Sequence, residues 1–218
     1  MRRMTIVIAA LTVVIGLGST VPTAAASETP RAGSLHKPWI QWAFGSSGAP
    51  LLDQDFCGEM VNGVFFLTVA GGQPTSVRRT VNCEVPDGAP ILATPGGVIA
   101  WAPTDGKTDN QLQRSIFNQL GPLKQNSVHV RLDGTEIPHG RLVSPDPYTI
   151  ALEPGNLIQT VDPGVTGDST RVADAFYFKV IDPLDPGDHV IIARDSYDFR
   201  STGGEVVTYR TKFLVHVS

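Results

Sequence analysis

Five histidines, His36, His129, His139, His189 and His216, are spread singly along the 218-residue chain. His189 has the best-placed carboxylates. Asp188 precedes it directly, just after the turn Asp185-Pro186-Gly187, and Asp174 lies on the strand that this turn could fold back alongside. A carboxylate within hydrogen-bond reach orients an imidazole and raises its pKa, which is what a general base needs. His189 with Asp174 is therefore the catalytic candidate, and a hydrolase or lyase would be its chemistry. The competing expectation is that His189 hydrogen-bonds the backbone of its own turn. The second is favoured because no Gly-x-Ser-x-Gly elbow, His-Glu-x-x-His pair or Walker-type phosphate loop occurs in the sequence.

Acidic residues gather at Asp53/Asp55, Asp162/Asp168, Asp182/Asp185/Asp188 and Asp195/Asp198. Hard oxygen ligands on loops suit Ca²⁺, yet Asp also forms turns through its own side-chain hydrogen bonds. None of these runs has EF-hand spacing, so no cofactor is expected, with a structural calcium as the alternative. Trp39, Trp42 and Trp101 are the ligand-binding candidates. Exposed indoles would stack on sugars, whereas Trp39 and Trp42, three apart with Phe44 nearby, also fit the core face of a helix lying on a sheet. Cys57 and Cys83 are the two cysteines. With no further Cys or His at metal-binding spacing, a disulfide is expected.

These residues belong to a chain that reads as exported. Arg2 and Arg3 precede an apolar run from Ile6 to Leu17, and Ala24-Ala25-Ala26 supplies small residues for cleavage before Ser27. Residues 1–26 are thus expected to be a signal peptide, 27–34 a flexible arm, and 35–218 one domain. No later stretch reaches the ~18 apolar residues of a membrane span. Arg2 and Arg3 belong to the leader, so 15 of the 17 basic residues remain against 21 acidic ones. A mixed, weakly acidic surface argues against nucleic acid as partner. An extracellular glycan or protein is the expected partner, and a monomer the expected state.

The last quarter, Val172 to Ser218, organises the rest. Phe176, Phe178 and Val180 alternate with Tyr177 and Lys179, and the turn at Asp185 leads into a strand from His189 to Ala193. In the final strand Val207, Tyr209, Phe213, Val215 and Val217 share a face. Upstream, Val64 to Val69 is apolar on both faces and reads as a central strand, with Val77 to Val85 as its partner. There Arg79 falls on the apolar face and needs a carboxylate or an exposed edge. Pro90–Leu92 and Val98–Trp101 read as short runs around a turn at Pro95-Gly96-Gly97. Asp133-Gly134 closes a hairpin over Val128 to Pro138, and Pro147 to Leu152 is a further strand. A helix from Ser34 to Phe44, and a helical insertion over 104–125 capped by Asp109, complete the elements. The 22 Gly and 17 Pro fit short strands with frequent turns. The pattern predicts a mainly β protein, an antiparallel β-sandwich (immunoglobulin-like or jelly-roll-like) with one or two short helices and one disulfide.

Three stretches carry a resemblance. The first runs from Trp39-Ile40-Gln41-Trp42-Ala43 through Cys57 and Gly63-Val64-Phe65-Phe66-Leu67 to Cys83-Glu84-Val85-Pro86-Asp87-Gly88. The second is Val130-Arg131-Leu132-Asp133-Gly134. The third is Val172 to Tyr177 leading into Pro183-Leu184-Asp185-Pro186-Gly187-Asp188-His189, then Val207-Thr208-Tyr209. Together they resemble an uncharacterised family of secreted bacterial β-rich proteins, and the third is similar to a strand of bacterial immunoglobulin-like modules. The segment Ala93-Thr94-Pro95-Gly96-Gly97 departs from that family, so a shared site is not expected there. The resemblance implies a fold rather than an activity. The functional expectation is a secreted, non-enzymatic module binding a carbohydrate, cell-envelope component or protein. An extracellular hydrolase or lyase using His189 with Asp174 or loop carboxylates, or a structural envelope component, are the alternatives.

Overall fold

The computed structural model describes residues 31–69, 75–123, 127–144 and 146–218. The expected signal peptide, the first half of the expected arm (27–30) and the end of the helical insertion lie outside the described residues, while 32–34 of that arm belong to a helix. Among the described residues eleven strands form two facing sheets. The first sheet has the order β1 (Gly58–Val61), β2 (Val64–Leu67), β4 (Ile91–Trp101), β9 (Ser169–Ile181), β7 (Gly140–Val143), with β8 (Tyr148–Ala151) also pairing β9. The second has the order β3 (Val77–Val85), β11 (Val206–Val217), β10 (Gly187–Asp198), β5 (His129–Leu132), β6 (Thr135–Glu136). The protein is mainly β and sandwich-like, as the alternation in its last quarter predicts. Most pairs are antiparallel, but β2–β4 and β3–β11 are parallel. Period-two alternation reports which side of a strand is buried, not the direction of its neighbour, so this was invisible in the pattern.

The first sheet is covered on both faces. Between the sheets lie Ile91, Ala93, Phe213, Val215 and Ile191, and further along Val98, Ala100, Ala175 and Tyr177. On its other face, Phe66, Leu92, Phe176 and Phe178 pack beneath helix α1 (Ala32–Ile40) and the π-helical turn Gln41–Gly45 that continues it. This second covered face explains why β2 is apolar on both sides. Helix α1 begins two residues before Ser34, which donates to Arg31 O at 2.8 Å rather than capping a later start. Helix α2 (Asp109–Leu120) closes one end of the inter-sheet space with Leu112 and Ile116. Its cap is Thr108, not Asp109: Thr108 and Gln111 exchange side-chain and backbone hydrogen bonds in a capping box. A short α3 (Leu157–Val161), capped by Asn156, follows β8.

Cys57, just ahead of edge strand β1, is bonded to Cys83 of edge strand β3, so the disulfide ties the two sheets together. In the chain-entropy model, closing such a loop stabilises the fold by about 3 to 4 kcal/mol. Beside it, Arg79 makes no carboxylate ion pair among the described residues, although the Asp53 and Asp55 charges lie near enough to act on it. Its guanidinium donates to Asp53 O, Gln54 O, Thr68 Oγ1 and Thr211 Oγ1 instead.

The expected turn at Pro95-Gly96-Gly97 does not exist. Strand β4 runs straight through it, with one extra residue between Ala93 and Gly96 relative to β9. A bulge of one residue inverts the side-chain alternation beyond it. Ile91 and Ala93 therefore face the second sheet before the bulge, Val98 and Ala100 after it, while Ile99 and Trp101 turn to the helix-covered face.

Candidate functional site

The catalytic pair expected from the sequence is not assembled. Asp174 lies on β9 of the first sheet and His189 on β10 of the second. Strands joined by the Asp185 turn do not pair with each other; they are partners across the sandwich. His189 Nδ1 meets Asp133 Oδ2 at 2.9 Å and its Nε2 meets Asp185 O at 2.9 Å. Asp133 Oδ1 also accepts from Val190 N at 2.7 Å. The hydrogen bond to Asp133 raises the His189 pKa and lowers that of Asp133. The group ties the β5–β6 turn to the start of β10. Asp188 is bonded to His216 across the β10–β11 ladder, at 2.7 Å.

Asp174 is fully buried and well partnered. One carboxylate oxygen is in close contact with His36 Nε2 of α1, and the other accepts from Tyr148 Oη at 2.8 Å. Ser144 brackets its backbone, accepting from Asp174 N at 2.9 Å and donating its own N–H to Asp174 O at 2.9 Å. Burial, and then the adjacent Asp174 charge, push the Tyr148 hydroxyl far above its ordinary pKa. Because the group is sealed under α1, its evident work is to dock that helix on the sheet.

Of the tryptophans, Trp39 (0% exposed) and Trp42 (4%) are core residues under α1, where no sugar can stack on them. Trp42 donates to Glu59 and Trp39 packs edge-on against Phe178. The third, Trp101, is only partly buried. It donates its indole N–H to Asp162 at 2.9 Å and lines a cavity of about 460 Å³. That volume is within the ~300–1,000 Å³ of small-molecule sites.

The cavity follows from the bulge. Strand β2 pairs β4 at Ile91 and Leu92, and among the described residues that side of β4 has no strand neighbour beyond them. The cavity wraps round this edge at Gly96 and Gly97. On the helix-covered face it is lined by Phe44, Ile99, Trp101, Ile158 and Phe176. On the inter-sheet face it meets Val98, Asp195, Tyr197 and Tyr209. Both glycines are required for space. A Cβ on Gly96 would stand 1.9 Å from Asp195 Oδ2, and one on Gly97 would stand 2.4 Å from the Phe176 ring. Leu52 (41% exposed) and Val161 (52%) form an apolar lip.

The edge of β4 is partly satisfied by a side chain. Tyr197 Oη donates to Gly97 O at 2.7 Å and accepts from Gly97 N at 3.2 Å. Beside it, Asp195 occupies an inward position of β10 in line with Ile191 and Ala193. It is 2% exposed, and its Oδ1 has no hydrogen-bond partner among the described residues. Burial pushes the Asp195 carboxyl up to about 8, with Tyr197 offsetting part of the rise. The acid is therefore mainly neutral at pH 7. The expected acidic loop pair Asp195/Asp198 is thus not in a loop: both residues belong to β10. No group of three or more His, Cys, Asp or Glu positioned for a metal occurs among the described residues. Continuing the alternation past Ala193 would have placed Asp195 inside the fold.

The fold and cavity define a disulfide-tied two-sheet β protein with an apolar pocket at the open edge of one sheet. No protein-family model matches the chain, and no curated protein does. Among solved structures, a chain from the structure of PbICP-C in complex with falcipain-2 is similar at 14% identity, covering 70% of this chain and 98% of that chain. Its TM-score is 0.23, too low for the likeness to bear on function.

Proposed function

We propose that this protein is an exported, non-catalytic binding module that takes a small apolar molecule, or the apolar part of a cell-envelope component, into the cavity beside Gly96 and Gly97. The observation that carries this is the cavity itself: about 460 Å³, walled largely by aliphatic and aromatic side chains and edged by Leu52 and Val161. Atoms lining an empty apolar space lack partners on one side, and an apolar guest restores those contacts. Export is supported by the leader-like sequence of residues 1–26 and by a disulfide, which persists in oxidising compartments. The resemblance to secreted bacterial β-rich proteins is consistent with it. Of the expected ligands, a carbohydrate loses its stacking platform with Trp39 and Trp42 in the core. A hydrolase or lyase loses its His189–Asp174 pair.

Titration with Nile red, a neutral dye that brightens in apolar surroundings, tests the proposal. Saturable one-to-one binding that medium-chain alkyl compounds displace is the expected outcome. Non-saturable partitioning, or no emission change, would overturn it.

A further inference from the structure

We infer that Asp195 is the specificity-determining residue of this cavity, and that the ligand is an uncharged, largely apolar molecule bearing one hydroxyl or amide head that hydrogen-bonds the Asp195 carboxyl. The inference rests on the apolar-cavity reading and names the chemistry of its ligand. Three observations converge on it. Among the described residues, Asp195 is the one ionisable side chain lining the largely apolar cavity that is both almost fully buried and left with an unpartnered oxygen. The other buried carboxylate among the described residues, Asp174, has its oxygens engaged by His36 and Tyr148, so burial of a carboxyl in this fold does not by itself leave it unpaired. The cavity also meets Asp195 at Gly96, where any side chain would fill the approach to the carboxyl.

A buried acceptor without a partner costs roughly 1–3 kcal/mol, and a donor on a ligand recovers part of that. Rotation about χ2, which is soft for Asp, brings either oxygen toward a guest. With its pKa at about 8, the carboxyl holds a proton at pH 6 and both donates and accepts, which matches a hydroxyl or a primary amide. Charged heads fit poorly. An alkylammonium would have to ionise Asp195 and bury the resulting pair, and an alkyl carboxylate would bring a second anion into an apolar space.

The test is competition against Nile red at pH 6 with four ten-carbon probes: decane, 1-decanol, decylammonium and decanoate. Wild-type protein is expected to bind 1-decanol about tenfold more tightly than decane, the equivalent of one net hydrogen bond, and both ions more weakly than the alcohol. Asp195→Ala, which only removes atoms, should bind decane at least as well and reduce the alcohol preference to within about twofold. Asp195→Asn, neutral and of the same shape, should keep most of it. Equal affinity for alcohol and alkane in the wild type, a preference unchanged in Asp195→Ala, or tightest binding by an ion would each overturn the assignment of Asp195 while leaving the cavity reading intact. Failure of all four probes to displace dye would instead remove the cavity reading.

Discussion

Tyr197 Oη both donates to Gly97 O and accepts from Gly97 N, so one side chain of the second sheet meets a β4 edge that has no strand partner among the described residues. The consequence is a sheet edge that is closed chemically but not sterically, since a phenol fills far less space than a strand. The cavity occupies the difference.

Removing the hydroxyl leaves two backbone groups unpaired in a partly buried setting. Tyr197→Phe is expected to destabilise the fold by roughly 1–3 kcal/mol, read as a lower urea midpoint with an unchanged m-value. No loss of stability would show that Gly97 finds other partners.

The contact between Gly96 and Asp195 can be measured by a double-mutant cycle. Gly96→Ala places a Cβ against Asp195 Oδ2 and is expected to cost about 1–3 kcal/mol, as overpacking does. In the Asp195→Ala background the same substitution should cost less, with a coupling of at least about 0.5 kcal/mol. Strict additivity would contradict the contact.

The bulge shows why so much of the fold was legible and so much of the site was not. Strand alternation in Phe176–Val180 and Val207–Val217 marks buried faces without knowledge of neighbours. Asp133-Gly134 closes its hairpin with positive φ at both residues, as its sequence predicts. Asn62-Gly63 closes another between β1 and β2 and carries the same signal, although Gly45 to Met60 reads as loop. Pro95-Gly96-Gly97, by contrast, has turn composition but strand conformation. Its glycines serve the close approach of Asp195 and Phe176, which belong to remote segments. Asp195 looked like a loop carboxylate because the strand before it reads as ending at Ala193. The docking of His36 on Asp174 is a contact across 138 residues, and no local pattern encodes it.

Asp195 also predicts the pH dependence of stability. Its folded pKa, about 8, lies above its ordinary value of 3.8. Between those limits the folded state keeps a proton that the unfolded chain releases. Stability should therefore fall as pH rises from about 4 to 8, by up to ~1.4 kcal/mol per pH unit, and level off above. Asp195→Asn does not titrate there, so its denaturation midpoints should fall less across the window. Parallel profiles for the two proteins would sink the assignment.

His189 ties the β5–β6 turn to its own strand and is not part of an assembled His189–Asp174 pair. Its bond to Asp133 raises its pKa, so the stabilisation it supplies is present below about pH 6.5 and is lost as pH rises through the higher folded value. The pair is partly solvent-exposed, with Asp133 about half exposed, and solvent screening keeps the effect small. His189→Ala should lower the melting temperature slightly at pH 5.5, hardly at all at pH 9, and leave ligand affinity unchanged at both. A loss of ligand affinity with an unaltered melting temperature would restore His189 as a functional residue.

The most direct test fills the cavity. Ile99→Trp adds bulk to its wall on the helix-covered face, and Leu157→Phe does so from α3. Dissociation constants for Nile red would be compared among wild type and the two variants, each confirmed as folded by its melting transition. The cavity account predicts one-to-one binding by the wild type, weakened at least about tenfold in whichever filled variants fold, by loss of the space that holds an apolar guest. Equal affinity in wild type and a folded, filled variant would contradict it.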